Sequence, residues 1–437
     1  MRLDSIELRN YRGFERLSVA FRPGLNVIAG VNGSGKTSIL KAVREALNGL
    51  TSFLSVNGPP LFSYAEPSST RIQATVTAGR YRFEEQYPVE VIASGEAFGQ
   101  SIAWTLAKSG PTAPAVWQAA TPGSMWQALH SAQAPNATSQ ALPKLPIVAY
   151  YPAYRKWEPS VPNQMSAATE RHGRTDGYVL WWEAASTQDS AALQQWVISK
   201  TLERLQLTSE RAVKWDAVCD DELAMVNVAL AAVVQGAAEI RYDLMRKSVL
   251  IEWQGNEAPT EFHNLSDGQR VAISLVVDIA RRMCLLNPHL GQSVTQQTPG
   301  VVLIDELDVH LHPKWQRLMT TGLQAAFPEV QFITTSHSPQ VIGELRPEQI
   351  ILLTADGIAH PAVSYGLDAS RVLEQIMDAS PRPLAVEQDL SALFEALERN
   401  ELPHARTLLA ALQETAPGIP ELAGAEALLK RKEVIGR

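Results

Sequence analysis

Apolar and polar positions change their period several times along the chain, and each change marks a predicted element. LDSIELRN, from Leu3, has the period of a half-buried strand, and LNVIAG, from Leu25, is a short apolar run that reads as a buried strand. In KTSILKAVREAL the residues Ile39, Leu40, Val43 and Leu47 recur at helical spacing. TRIQATVTAGRYRFEEQYPVEVIA, residues 70–93, alternates with a period of two and predicts antiparallel hairpins. From Ser94 to Pro143 the chain turns rich in Ala, Ser, Gln and Pro, and the expectation there is a loosely structured insertion. LPIVAYYPAYRKW, from Leu145, is a buried strand running into an aromatic and basic turn. Asp176 to Gln235 reads as helices; LAMVNVALAAVVQGAAEI, interrupted by Asn227 and Gln235, reads as a buried one. EIRYDLMRKSVLIEW predicts a strand pair. From LSDGQR to QFITTSHSPQ a helix, a strand, a helix and a strand follow one another, as in a parallel sheet. The tail after Leu367 reads as one or two helical hairpins. No convincing repeat of about 20–50 residues occurs, and no heptads are sustained.

Composition narrows the class only a little. With 437 residues, 45% hydrophobic and 19% charged, the chain is an ordinary globular protein long enough for two or three lobes. A net charge of -8 means that any nucleic-acid contact needs a local basic groove. Cys219 and Cys284 lack metal-ligand spacing and read as buried thiols of a reducing compartment. MRLDSIELRNYRGF has no apolar signal core, and no run approaches a membrane span, so the expected location is cytoplasmic, with no membrane partner.

The chemistry lies in motifs at the ends of the apolar runs. GVNGSGKT, Gly30 to Thr37, matches G-x-x-x-x-G-K-[ST] between a buried strand and a helix. In such a loop the backbone of Asn32, Gly33, Ser34, Gly35, Lys36, Thr37 and Ser38 can close around phosphates, aided by the positive end of the helix. Lys36 would reach the β and γ phosphates of ATP, and the Thr37 hydroxyl would bind Mg²⁺. GVVLIDE ends an apolar run in Asp305 and Glu306. At the carboxyl edge of a parallel strand, Asp305 would hold the Mg²⁺ shell and Glu306 would polarise the attacking water. VQFITTSH ends likewise in Ser336 and His337, where the imidazole can donate to a γ-phosphate. LSDGQ, from Leu265, suits either a helix N-cap or a phosphate grip.

Taken in this order, GxxxxGKT, LSDGQ, DE and SH resemble the ATP-binding cassette superfamily. The resemblance implies a head-to-tail homodimer in which Ser266, the N–H of Gly268, and Gln269 grip the γ-phosphate of a partner's ATP. The opening IELRNYRGFERLSVAFRPGLNVIAGVNGSGKTSIL is similar to the SMC and RecF branch, and Arg12 matches the family arginine that reaches the nucleotide. His312 stands where that branch places an aspartate after its DE pair. DELDVHLHPKWQ, PIVAYYPAYRKW, GYVLWWEAAS and ELPHARTLLAAL together resemble the ATPase subunits of Septu-type and retron-associated anti-phage systems.

That resemblance implies an α/β fold: a P-loop ABC-type head with a mixed sheet and an antiparallel β subdomain. The expected parts are residues 1–155 and 241–366 for the head, 156–240 for a helical insertion and 367–437 for a helical C-terminal cap. No coiled-coil arm is expected. The roughly 100 residues after His337 are too few for head completion plus a Toprim domain, so a separate nuclease subunit is implied. Higher oligomers are also implied as possible. The competing expectation is a RecF-like DNA-repair ATPase that clamps DNA; a transport ATPase, lacking this opening, ranks below both.

Other features leave two readings open. Tyr150, Tyr151, Tyr154, Arg155 and Trp157 could stack a base or simply seal a lobe. Trp181 and Trp182, expected on a helix, suit core or a protein interface. ERHGR, Glu170 to Arg174, is either a solvated loop or a nucleic-acid contact. Arg281 and Arg282 face DNA or solvent. His310 and His312, despite their HxH spacing, read as structural.

Overall fold

The computed structural model describes residues 1–51, 69–77, 80–118, 142–155, 157–158, 172–255 and 258–435. In chain order the first half forms β1 (Arg2–Tyr11), β2 (Phe14–Ala20), β3 (Leu25–Ala29), α1 (Lys36–Thr51), β4 (Arg71–Thr77), β5 (Arg80–Gln86), β6 (Val89–Ala97), β7 (Gln100–Lys108), β8 (Val116–Gln118), β9 (Ile147–Tyr151), α2 (Thr187–Arg211) and α3 (Glu222–Val233). The second half forms β10 (Ala237–Asp243), β11 (Ser248–Trp253), β12 (Thr260–Glu261), α4 (Asp267–Leu286), α5 (Val294–Gln297), β13 (Gly300–Ile304), α6 (Pro313–Ala326), β14 (Val330–Thr335), α7 (Pro339–Ile342), β15 (Ile350–Thr354) and β16 (Gly357–Ala359). It ends with α8 (Ala369–Gln375), α9 (Leu384–Glu398), α10 (Leu402–Thr415) and α11 (Glu421–Ile435).

Strands that read as unbroken apolar runs become the interior of one sheet. Its order is β16-β15-β3-β14-β13-β9, with every pairing parallel except that of β16. Every residue of β3, β9, β13 and β14 is buried, as expected where both faces of a parallel sheet are covered. Because β3, β9, β13 and β14 run the same way, the loops after them leave from one edge of the sheet. That edge is where ligands collect in open α/β sheets.

A second sheet, β2-β1-β6-β7-β8, is antiparallel throughout. Along β6 buried and half-buried positions alternate strictly, the signature of one covered face. The helix α1 touches strands of both sheets, and Trp104 on β7 donates its indole N–H to Ala46 O of α1 at 2.9 Å. The expectation of a loose insertion from Ser94 is therefore corrected. Residues 94–118 continue β6 into β7 and β8, and Phe98 and Gly99, both at positive φ, make a two-residue hairpin turn. Residues 119–141 lie outside the described residues.

The segment Leu223–Ile240 is a helix, a turn at Gly236 and the start of β10, rather than one buried helix. Asn227, which interrupts the apolar run, accepts the backbone N–H of Ile240 at 2.9 Å and so seats β10 on α3. Cys284 is buried; Cys219 is exposed, against expectation. Trp181 and Trp182 lie in a 3₁₀ turn, Trp181–Glu183, with Trp181 fully buried. No described helix is long and apolar enough to cross a membrane.

Chain contacts divide the molecule into two compact units, Met1–Leu367 and Asp368–Arg437. The second unit has its own apolar core, in which Leu390, Leu393 and Leu397 of α9 meet Leu409 and Leu412 of α10 and Leu422 and Leu429 of α11.

Candidate nucleotide site

Between β3 and α1 the chain makes a tight loop in which Gly33 and Gly35 take φ of +81° and +106°, a region that side chains disfavour. Gly35 also sits against the ring of Phe14, whose Cζ would lie 2.5 Å from an added Cβ. The NYRGF turn is thus packed directly on the loop. Within that turn Arg12 has φ +51°, and its N–H donates to Ser69 O at 3.0 Å. The Arg12 guanidinium lies 5.9 Å from the centre of the Tyr11 ring.

Lys36 is 8% exposed and folds back over the loop, donating to Gly30 O at 2.8 Å and Val31 O at 3.0 Å. Burial lowers its pKa from the usual lysine value, against the opposing pull of Glu306, Asp305 and Asp308. Ser34 Oγ is buried with no hydrogen-bond partner among the described residues. A loop with a lysine tied only to backbone carbonyls and an orphaned hydroxyl has groups to offer an incoming anion.

The acidic side of the site is built from the ends of β13 and β14. Thr37 Oγ1 donates to Asp305 Oδ1 at 3.1 Å across 268 residues of sequence. The same carboxylate oxygen accepts from Thr335 Oγ1 at 2.7 Å, and Thr335 Oγ1 in turn accepts Glu306 N–H at 2.7 Å. Glu306 has φ +50°, so the chain turns sharply there and the strand ends. The His337 side chain is 41% exposed, and its Nε2 lies 3.8 Å from Asp308 Oδ2. Asp308 is buried, and its Oδ1 has no partner among the described residues.

Ser266 caps α4, its hydroxyl accepting Gln269 N–H at 3.3 Å while Gln269 Oε1 accepts Ser266 N–H at 3.0 Å. The cap reading and the grip reading of LSDGQ are compatible, because at the start of the helix Ser266 and Asp267 are exposed and Gly268 and Gln269 only half-buried. An added Cβ on Gly268 would lie 2.2 Å from His310 O, so the loop after Asp305 rests against the start of α4. None of the described hydrogen bonds joins Ser266, Gly268 or Gln269 to the Gly30–Thr37 loop. His312 caps α6 by accepting Lys314 N–H on Nδ1 at 3.3 Å. Among the described residues no group of three or more His, Cys, Asp or Glu side chains could hold a metal.

Several candidates turn out to be structural. Arg281 and Arg282 face neither DNA nor solvent: both are buried and both pair with Asp278. A helix buried nearly all round gave no polar face to expose them on. Tyr150, Tyr151 and Trp157 are buried and seal the lobe, whereas Tyr154 is exposed and donates to Glu183 at 3.0 Å. Arg174 donates to Leu286 O and Pro143 O, both at 2.7 Å, and closes a loop; Glu170 and Arg171 lie outside the described residues. Arg155, for which stacking on a base and sealing the lobe were both open, donates to the carbonyls of Asp305 and Glu306 at 2.7 and 2.8 Å. Sequence reasoning passed over Thr335 and Asp308 as site residues. The polar pair Thr334–Thr335 closing an otherwise apolar strand was the available signal for the first.

Two AAA-domain families match the chain, one over residues 5–121 and the other, whose description also names the AbiEii toxin and type IV TA systems, over residues 191–343. "Retron Vc95 probable ATPase" of Vibrio cholerae serotype O1 biovar El Tor is 38% identical over 148 residues, 33% of this chain and 28% of that protein. "Retron Ec83 probable ATPase" of Escherichia coli is 25% identical over 440 residues, 88% of this chain and 77% of that protein. "Septu protein PtuA" of Bacillus thuringiensis is 31% identical over 137 residues, 29% of this chain and 35% of that protein. The match thus spans about a quarter to three quarters of these relatives. Among solved structures, an SMC head bound to the C-winged helix domain of ScpA aligns over 82% of this chain and 98% of that one, at 14% identity and a TM-score of 0.47.

Proposed function

We propose, from its two AAA-domain matches and its similarity to the retron probable ATPases and to PtuA, that this chain is an ATPase that binds Mg-ATP at the Gly30–Thr37 loop and hydrolyses it as a head-to-tail dimer. The observation that carries this reading is the Thr37–Asp305 hydrogen bond. It brings the hydroxyl after the lysine and the carboxylate at the end of β13 to one point, with Glu306 next in the chain.

A hydroxyl and a carboxylate are hard oxygen donors, which fits Mg²⁺, a cation usually held by one or two protein oxygens together with phosphates and water. Bound there, the ion would neutralise phosphate charge. Lys36 would exchange its two carbonyl partners for the β and γ phosphates, a change favoured by its burial. The backbone N–H groups of Asn32 to Ser38 and the orphaned Ser34 hydroxyl would complete the cradle. Glu306 would accept the proton of the attacking water and His337 would donate to the γ-phosphate. Arg12, on the turn packed against the loop, would reach the nucleotide from its other side. Ser266, exposed, and the half-buried Gly268 N–H and Gln269, at the start of α4, would engage the nucleotide of the second copy.

In this reading the chain is the regulatory ATPase of a bacterial anti-phage system, acting on a separate nuclease subunit. The test uses the full chain. Lys36→Ala should abolish ATP binding in isothermal titration. Glu306→Gln should keep binding but hold an ATP-dependent dimer, read by light scattering; a monomer under saturating ATP would overturn the sandwich. Purification from the native host in Mg-ATP should retain a nuclease, whereas ATP-dependent DNA binding by the chain alone would favour a RecF-like clamp.

A further inference from the structure

Arg155 is 3% exposed, yet none of its hydrogen bonds goes to a carboxylate. Its Nη1 donates to Asp305 O at 2.7 Å and to Pro152 O at 3.2 Å, and its Nη2 donates to Glu306 O at 2.8 Å. Its Nε has no partner among the described residues. A guanidinium taken out of water and repaid only by carbonyls is costly to bury. Burial lowers its pKa to about 10, even with Asp305, Asp308 and Glu306 pulling the other way.

What the guanidinium achieves is geometric. Its planar fork spans two successive carbonyls, those on either side of the Glu306 backbone, where φ is +50°. From the opposite side Thr335 Oγ1 holds the Glu306 N–H. The Asp305–Glu306 turn is therefore clamped on both its N–H and its C=O groups, and with it the direction in which the Glu306 carboxylate leaves the chain.

The clamp comes from the turn after β9, which is itself anchored. Tyr151, four residues earlier, accepts Asp305 N–H on its carbonyl at 2.8 Å and donates its hydroxyl to Asp278 of α4 at 2.8 Å. α4 is the helix whose first turn carries Ser266 and Gly268. A continuous set of bonds thus runs from that helix through the turn to the peptide of Glu306.

We infer that Arg155 is the positioning residue for Glu306, holding it for proton transfer from the attacking water while taking no part in nucleotide binding. The inference rests on the proposed role of Glu306 as the base. An arginine that positions without binding should affect turnover and leave affinity alone.

The test is ATP turnover and nucleotide titration on the full chain with Arg155→Gln, alone and combined with Glu306→Gln. Turnover should fall on the order of 100-fold, the scale set by a misplaced catalytic group. Affinity for a slowly hydrolysed ATP analogue should stay within about threefold, and the double variant should be no slower than Glu306→Gln alone. Should Arg155→Gln fail to fold, Arg155→Lys keeps the charge and should show the same split with a smaller loss, about tenfold. Unchanged turnover, a parallel loss of affinity, or an additive loss in the double variant overturns the inference. If Glu306→Gln itself turns over normally, it is the reading of Glu306 that fails; if Glu306→Gln is inactive while Arg155→Gln is not, only the role of Arg155 fails.

Discussion

Gly268 has no side chain to offer a ligand, but it fixes where two loops meet. The 2.2 Å that an added Cβ would leave to His310 O cannot be relieved by turning a side chain, because the obstacle is backbone. Gly268→Ala should therefore push the start of α4 off the loop after Asp305, at a cost of about 1–3 kcal/mol, the usual range for overpacking. A urea titration would read that loss. ATP binding at the Gly30–Thr37 loop should survive, since no hydrogen bond among the described residues joins the two places, while the ATP-dependent dimer should weaken. Retention of both stability and dimer would mean that the loop gives way freely. At this scale the sequence was readable wherever an apolar run stopped at a polar residue, as at Asp305, Glu306 and His337. Arg155 was not readable in this way. Its partners are carbonyls, two of them 150 and 151 residues further along, and a carbonyl leaves no mark in a sequence.

At the scale of elements, α4 is buried nearly all round, and a cluster of paired charge sits among its apolar contacts. Asp278 accepts from Arg281 and Arg282 at 2.6 and 2.7 Å, and Arg282 reaches Asp189 at the start of α2 at 3.2 Å. Burial would raise the Asp278 pKa, but the two guanidinium groups outweigh it and hold the carboxyl below its ordinary value. Asp189 has less help against burial, and its pKa is raised. The signs are opposite. The contribution of Asp278 to stability is present above the ordinary aspartate value of 3.8 and is lost as acid takes the pH below it. That of Asp189 is present below 3.8 and declines as pH rises through its folded value. Asp278→Asn should thus cost about 3–5 kcal/mol at pH 7 by stranding buried guanidinium charge, and it should flatten the acid limb of stability against pH. Asp189→Asn should cost much less at pH 7. Urea midpoints at several pH values decide between them, and equal losses would sink the asymmetry. The cluster was hidden from the pattern because charges that pair inside a helix bundle look, in sequence, like charges that face water. The strands of 94–118 were hidden differently. Ala, Ser and Gln weakened the alternation that Ile102, Trp104 and Leu106 nonetheless keep, each of them buried in β7.

For the whole molecule, the division at Leu367 makes a claim about autonomy. Lys36, Thr37, Asp305, Glu306, Ser266 and His337 all lie in Met1–Leu367, together with both large sheets. Asp368–Arg437 keeps its own leucine core across α9, α10 and α11. Among the described bonds of this unit, Arg406 of α10 pairs with Glu433 of α11, and Lys432 of α11 donates to Leu397 O of α9 at 2.8 Å. Three short helices with one apolar seam are near the lower limit at which a single core outweighs chain entropy. Cut from the rest, Asp368–Arg437 should be helical by circular dichroism but melt broadly, whereas Met1–Leu367 should melt cooperatively and bind ATP as the full chain does. Titrating both proteins with the same nucleotide compares them directly. If the shorter protein loses ATP binding while still melting cooperatively, the helical unit supports the nucleotide site and the two units are not independent. If it does not fold at all, the core of the first unit is incomplete without residues beyond Leu367.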